Sequence, residues 1–131
     1  MNKVIYLAGG MKSNWQDKVI NSLNEPFRPL FRFYDPSKHG LSEPDQYTLW
    51  DLNGVEKSGV LLGYMEADNP SGYGLALEIG YAKALGKKII LVDERSTTDS
   101  VFQKRFDMAR SCADVICNSL EDAILLLKSF Q

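Results

Sequence analysis

Histidine occurs once in this chain, at His39, and cysteine twice, at Cys112 and Cys117. That scarcity leaves no ligand spacing for zinc, no disulfide framework and no Ser-His-Asp set. The two cysteines read as small buried thiols in a reducing compartment, which implies a cytoplasmic protein. His39 stands in a polar, Pro-flanked loop, where a surface role is the expectation. Surplus positive charge is also missing. With 15 basic and 17 acidic residues and a formal net charge of −2, the chain has no footprint for a nucleic-acid backbone. The basic pairs Lys87-Lys88 and Lys104-Arg105 read as solvated surface. Long apolar runs are absent too. The opening run Val4-Ile-Tyr-Leu-Ala8 is too short for a secretion signal or a membrane span, and reads as a first strand. Repeats and low-complexity linkers are not seen.

What remains is a chain of 131 residues, 44% hydrophobic, about the size of one domain spanning 1–131. Apolar runs at Val4–Ala8, Gly59–Met65, Lys88–Val92 and Asp114–Cys117 read as strands, with Phe31–Tyr34 a less regular fifth. Near-continuous Val, Ile and Leu suits strands covered on both faces. Helical patterns lie between them. One runs from an Asn14 cap to about Leu23, before Glu25-Pro26. One opens at Ser71 or Gly72 and stops at Gly86. One covers Phe102–Ala109, and the last is capped by Ser119 with Glu121 and Asp122 in its first turn. The alternation predicts an α/β fold: a flavodoxin-like, doubly wound, five-stranded parallel sheet with helices on both faces. Ligands in such folds bind beyond the carboxyl ends of the strands. The stretch from Asp35 to Asp51, rich in Pro and polar residues, is expected to be a long loop over that crevice.

Glu78 is the first candidate for chemistry. At 100° per residue, Leu75, Ile79, Ala82 and Leu85 share one stripe of their helix, and Glu78 falls within it. A charge there is costly unless something needs it. The helix dipole favours the ionised form and burial opposes it. Such an acid is either a poorly solvated nucleophile or a glutamate bonding amides of the preceding loop. The other side of the helix, Leu77, Tyr81 and Ala84, is also unpolar, which points either to a subunit contact or to a covering loop.

Other residues leave more open. Gly72-x-Gly74 either cradles an anion or permits a tight turn, and lacks both a Walker lysine and the dinucleotide fingerprint. Gly9-Gly10 ends the first strand and brings backbone close to the crevice. Asp51 and Asn53 could present an acid and an amide to a heterocycle, or Asp51 is a cap or turn acid. Tyr6 is mid-strand and needs a partner for its hydroxyl if buried. Trp15 is either core or a stacking surface.

Taken together these segments resemble the nucleoside 2-deoxyribosyltransferase family. The likeness runs through Val4-Ile-Tyr-Leu-Ala-Gly9, Asp51-Leu-Asn-Gly-Val55, Leu62-Gly63, Gly74-x-x-x-Glu78-x-Gly80-Tyr-Ala82 and Gly86-Lys, and ends at Ala113-Asp-Val-Ile116. It implies a flavodoxin-like fold and cleavage of a deoxynucleoside's N-glycosidic bond, without cofactor or metal. By position, Glu78 would be the nucleophile, Tyr6 its hydrogen-bond partner and Asp51 the acid facing the base. Gly9, Gly10, Trp15, Asn53, Ser71, Gly72 and Gly74 would border substrate. Asp114 would reach a neighbouring subunit's site, in a dimer or hexamer with shared active sites. Gly72 stands where the family often has an acid or serine, leaving Ser71 or Asp68 for that contact. The partners implied are a deoxynucleoside and a free nucleobase, with no nucleic acid and no membrane. The activity implied is deoxyribosyl transfer in purine or pyrimidine salvage. The alternatives are hydrolysis of a nucleoside or its 5′-monophosphate, and a non-catalytic nucleotide-binding module.

Overall fold

The computed structural model describes residues 3–24 and 31–130. Five strands, β1 (Lys3–Gly9), β2 (Phe31–Tyr34), β3 (Val60–Met65), β4 (Lys88–Asp93) and β5 (Val115–Cys117), form one parallel sheet in the order β2-β1-β3-β4-β5. This is the flavodoxin-like order, with its switch point between β1 and β3. All five strands lie where the apolar runs placed them, to within two residues at their ends.

Side chains alternate across the sheet. Ile5 and Leu7 of β1 enter one core with Leu62, Ile90 and Val92, beneath α1 (Trp15–Leu23) and α6 (Leu120–Lys128). Tyr6 and Ala8 enter the other with Leu61, Ile89 and Leu91, beneath α2 (Pro44–Lys57) and α3 (Tyr73–Ala84). That second face is completed by α4 (Ser100–Arg105) and α5 (Asp107–Cys112).

Local chemistry explains the helix ends. The Ser119 hydroxyl accepts from Asp122 N at 3.1 Å, as its sequence position predicts. Asn14 precedes α1 but makes no side-chain cap. The stop expected at Glu25-Pro26 lies outside the described residues, and α1 ends at Leu23. Gly72 opens α3 with φ 86°, a left-handed conformation that favours glycine, and a Cβ there would have to displace the Met65 methyl.

Two expectations are corrected. The stretch 35–51 is not one long loop. After a 3-10 turn at Pro36–Lys38, helix α2 starts at Pro44, with Pro in its first turn and Asp45 at its positive end. Its helical pattern is faint because little of it is buried: Tyr47 and Leu49 face outward, and Gly54 and Val55 carry the fully buried contact. The Phe102–Ala109 helix is two short ones, meeting at Phe106, the first capped by Asp99 accepting from Phe102 N at 2.9 Å.

Candidate active site

A cavity of about 680 Å³ opens beyond the carboxyl ends of β1 and β3. Its walls are residues 9–13 after β1, residues 68–72 after β3, Asp51 and Thr48 of α2, and Leu75, Leu77 and Glu78 of α3. The wheel places Glu78 correctly: Leu75, Ile79 and Ala82 are buried with it, although Leu85 at the helix end is exposed. Glu78 is 8% exposed, and that remnant faces the cavity.

Tyr6, fully buried in β1, donates its hydroxyl hydrogen to Glu78 Oε2. Strand alternation turns Tyr6 toward α3, so β1 and α3 together aim the pair. Glu78 is the sixth residue of α3, past the first turn where the dipole acts. Burial therefore dominates: it pushes the Glu78 carboxyl up to about 7, the Asp51 charge adds to this, and the Tyr6 hydrogen bond partly opposes it. Burial and the neighbouring Glu78 carboxylate drive the Tyr6 hydroxyl far above its ordinary range, so it is a fixed neutral donor.

Asp51 stands on α2, facing the same cavity, and is neither helix cap nor turn acid. Burial raises its pKa, while His39 and the Tyr6 hydroxyl favour the ionised form. The helix can approach this closely because residue 54 is glycine. A Cβ there would lie 3.0 Å from Tyr6 Cε2 and 3.4 Å from Tyr34 Cβ.

Of the other expected residues, Gly9, Gly10, Ser71, Gly72 and Gly74 line the cavity, and so does Asp68. Three do not. Trp15 is core: it is 4% exposed, its indole Nε1 donates to Gly10 O at 2.9 Å, and its ring meets Tyr64 edge-on. Asn53 faces outward on α2, off the cavity wall. Asp114 sits at the amino end of β5, the far end of the sheet, where its Oδ2 accepts from Ile89 N at 2.7 Å. In its own chain it serves the β4–β5 junction.

His39 corrects the surface expectation in the other direction. Its side chain is 8% exposed, with Nε2 3.5 Å from Asp51 Oδ1. The signal in the sequence was weak: an Asp-Pro pair four residues earlier, the lone histidine, and an aromatic, Trp50, beside Asp51. Among the described residues, no group of three or more His, Cys, Asp or Glu side chains is set to hold a metal, and no helix is long and apolar enough to cross a membrane.

A parallel sheet with a buried carboxylate, its phenol and a second acid converging at the β1/β3 switch point defines a class: flavodoxin-like α/β proteins with paired acids in the crevice. The chain belongs to the nucleoside 2-deoxyribosyltransferase-like family, whose model matches residues 2–96. No curated protein matches the sequence. Solved structures that share the fold include these three. A conserved protein from Enterococcus faecalis V583 is 18% identical, with TM-score 0.74 over the full length of both chains. The CMP N-glycosidase BcmB of Clostridium botulinum is 24% identical, with TM-score 0.64 over 98% of this chain and 100% of that one. A 2-deoxyribosyltransferase from Bacillus psychrosaccharolyticus is 18% identical, with TM-score 0.66 over 92% and 90%.

Proposed function

We propose that this chain transfers 2-deoxyribose between nucleobases through a covalent sugar–Glu78 intermediate. The observation carrying the proposal is a carboxylate that burial holds near neutrality, clamped by a phenol and facing a second raised acid across one cavity. A Glu78 oxygen attacks C1′ as the C1′–N bond breaks, and Asp51 supplies the proton that the departing base needs. A second base then attacks C1′ from the vacated side. Its surplus proton returns to Asp51, and Glu78 leaves as a carboxylate. Two inversions restore the β-nucleoside, as in retaining glycosidases. The pair needs one proton in all, with Glu78 ionised and Asp51 protonated at the outset.

Hydrolysis shares the first half of this scheme and differs when water takes the sugar. The charge of the cavity bears on which substrate enters. Among the described residues, Asp51, Glu66, Asp68 and Glu78 line it against one cation, Lys12. With one proton held by the Asp51–Glu78 pair, three negative charges to one ammonium disfavour a dianionic 5′-phosphate, so an uncharged nucleoside is the preferred substrate over a nucleotide. A second copy of the chain has a suitable seat at the rim. Tyr73 and Leu77 of α3 are 84% and 59% exposed, and Leu77 borders the cavity. We propose a homo-oligomer that covers this edge.

Incubation with thymidine and adenine separates the readings. Deoxyadenosine formation supports transfer, free deoxyribose means hydrolysis, and a tightly bound but unchanged nucleoside means a binding module. A sugar adduct on the Glu78 peptide by mass spectrometry tests the intermediate.

A further inference from the structure

Asp51 has two oxygens, and the reaction scheme needs one of them free to carry a proton to the base. The segment between β2 and α2 bears on which one. Asp35 Oδ1 accepts from Ser37 N at 2.9 Å and from Ser37 Oγ at 2.6 Å, fixing the turn that leads to His39. His39 Nδ1 accepts from Leu41 N at 2.9 Å. An imidazole nitrogen that accepts a backbone N–H carries no proton of its own, so the ring is neutral with its proton on Nε2. Asp51 Oδ1 lies 3.5 Å from that Nε2. Both atoms are buried, and neither has another hydrogen-bond partner among the described residues. The imidazole is held edge-on against Trp50 with centroids 4.9 Å apart, and Trp50 meets Tyr34 in the same manner at 6.0 Å.

We infer that His39 is a positioning residue: its Nε2–H engages Asp51 Oδ1 and turns the other carboxyl oxygen, with its proton, toward the leaving base. The inference rests on the transfer reading above. The 3.5 Å separation is long for a settled hydrogen bond and closes as substrate fills the cavity, as such contacts commonly do in enzymes. His39 touches no reacting atom. It selects which oxygen of Asp51 is the acid, and the backbone of Leu41 selects which nitrogen of His39 does the holding. A histidine that only filled space beside Trp50 would have no need of a defined tautomer or of Asp51.

Because His39 is the single histidine, its ring nitrogens can be read in the intact protein by ¹⁵N–¹H NMR without assignment. The expected spectrum at neutral pH shows an unprotonated Nδ1 and a protonated Nε2 whose hydrogen is slow to exchange. Asp51→Ala should speed that exchange sharply. A ring protonated on Nδ1, or one indifferent to Asp51→Ala, overturns the inference. Kinetics give the second arm. His39→Leu should slow cleavage of thymidine at least about tenfold. It should slow p-nitrophenyl 2-deoxyriboside, whose leaving p-nitrophenolate needs no proton, less than about twofold. His39→Gln, which keeps a donor near the Nε2 position, should recover most of the loss. Equal slowing of both substrates, or no recovery by His39→Gln, also overturns it. If the unaltered protein cleaves neither compound, the transfer reading fails and the spectrum alone decides the contact.

Discussion

The two faces of the sheet are built from the same strands but carry different loads. Beneath α1 and α6 the core is mostly hydrocarbon: Ile5, Leu7, Val19, Leu23, Ile90, Leu127 and their neighbours, with the Cys117 thiol; the buried polar groups that α1 adds, the Trp15 indole N–H and the Gln16 amide, both donate to Gly10 O. Beneath α2 and α3 the next side chains along the same strands include Tyr6, which binds Glu78, and Asp93. Asp93 takes a hydrogen bond from Ser96 Oγ and an ion pair from Arg110 Nη1, both at 2.5 Å. Strand alternation makes this division possible, since neighbouring residues never share a face. Buried polar groups cost stability unless they are satisfied. Keeping the carboxylates of Glu78 and Asp93 on one face leaves the other chiefly to hydrocarbon packing.

That comparison can be broken at several points. The largest effect belongs to Glu78→Gln, which should reduce nucleoside turnover about 10³-fold or more while the fold survives; appreciable residual transfer would remove Glu78 from its role. On the opposite face, Leu127→Ala should cost about 2–5 kcal/mol in denaturant unfolding yet leave the pH dependence of turnover where it was. A moved pH profile would show that the faces are coupled.

Glu78→Gln should also make the protein more stable in alkaline solution. The carboxyl's pKa is about 7 in the fold against an ordinary 4.5, so the native state holds the proton more tightly than the unfolded chain. Native stability therefore falls as pH rises from about 4.5, and the loss is complete above about 7. The amide removes it, a gain of about 3 kcal/mol at pH 8 and almost nothing at pH 4. Matched unfolding curves at the two pH values check this, and equal differences at both would contradict it. The smallest effect concerns Tyr6. Turnover should rise with pH through about 7 as Glu78 ionises. Tyr6→Phe removes the hydrogen bond that favours ionisation, so the rising limb should move to higher pH. A limb that stays put, or moves down, would mean that Tyr6 does not tune Glu78.

How far the sequence discloses this division depends on how regular the local signal is. The strands were legible because burial on both faces leaves unbroken apolar runs. Glu78 was legible because an acid in an apolar helical stripe is anomalous. The family likeness then brought Tyr6 and Asp51 to it from distant segments. Helix α2 was hidden because its outward residues include Tyr47 and Leu49 while its buried contact is narrow, which blurs any periodicity. Trp15 and Asn53 show the limit of assigning contacts by residue type. A tryptophan near a glycine pair could stack on a ligand, but here its indole N–H serves Gly10 instead. His39 was lost for the opposite reason. Nothing in a polar loop reveals that its turn folds inward, because the burial comes from Trp50 on another element.

The absent side chain at position 54 acts as a shim. With no Cβ between α2 and the Tyr6 ring, one hydrogen atom's thickness sets the clearance between the helix that bears one acid and the strand that steadies the other. Adding a single methyl group there would press on the Tyr6 ring and widen the jaws without touching either carboxyl group, so the spacing of the two acids can be retuned by natural variation at a residue that has no chemistry of its own.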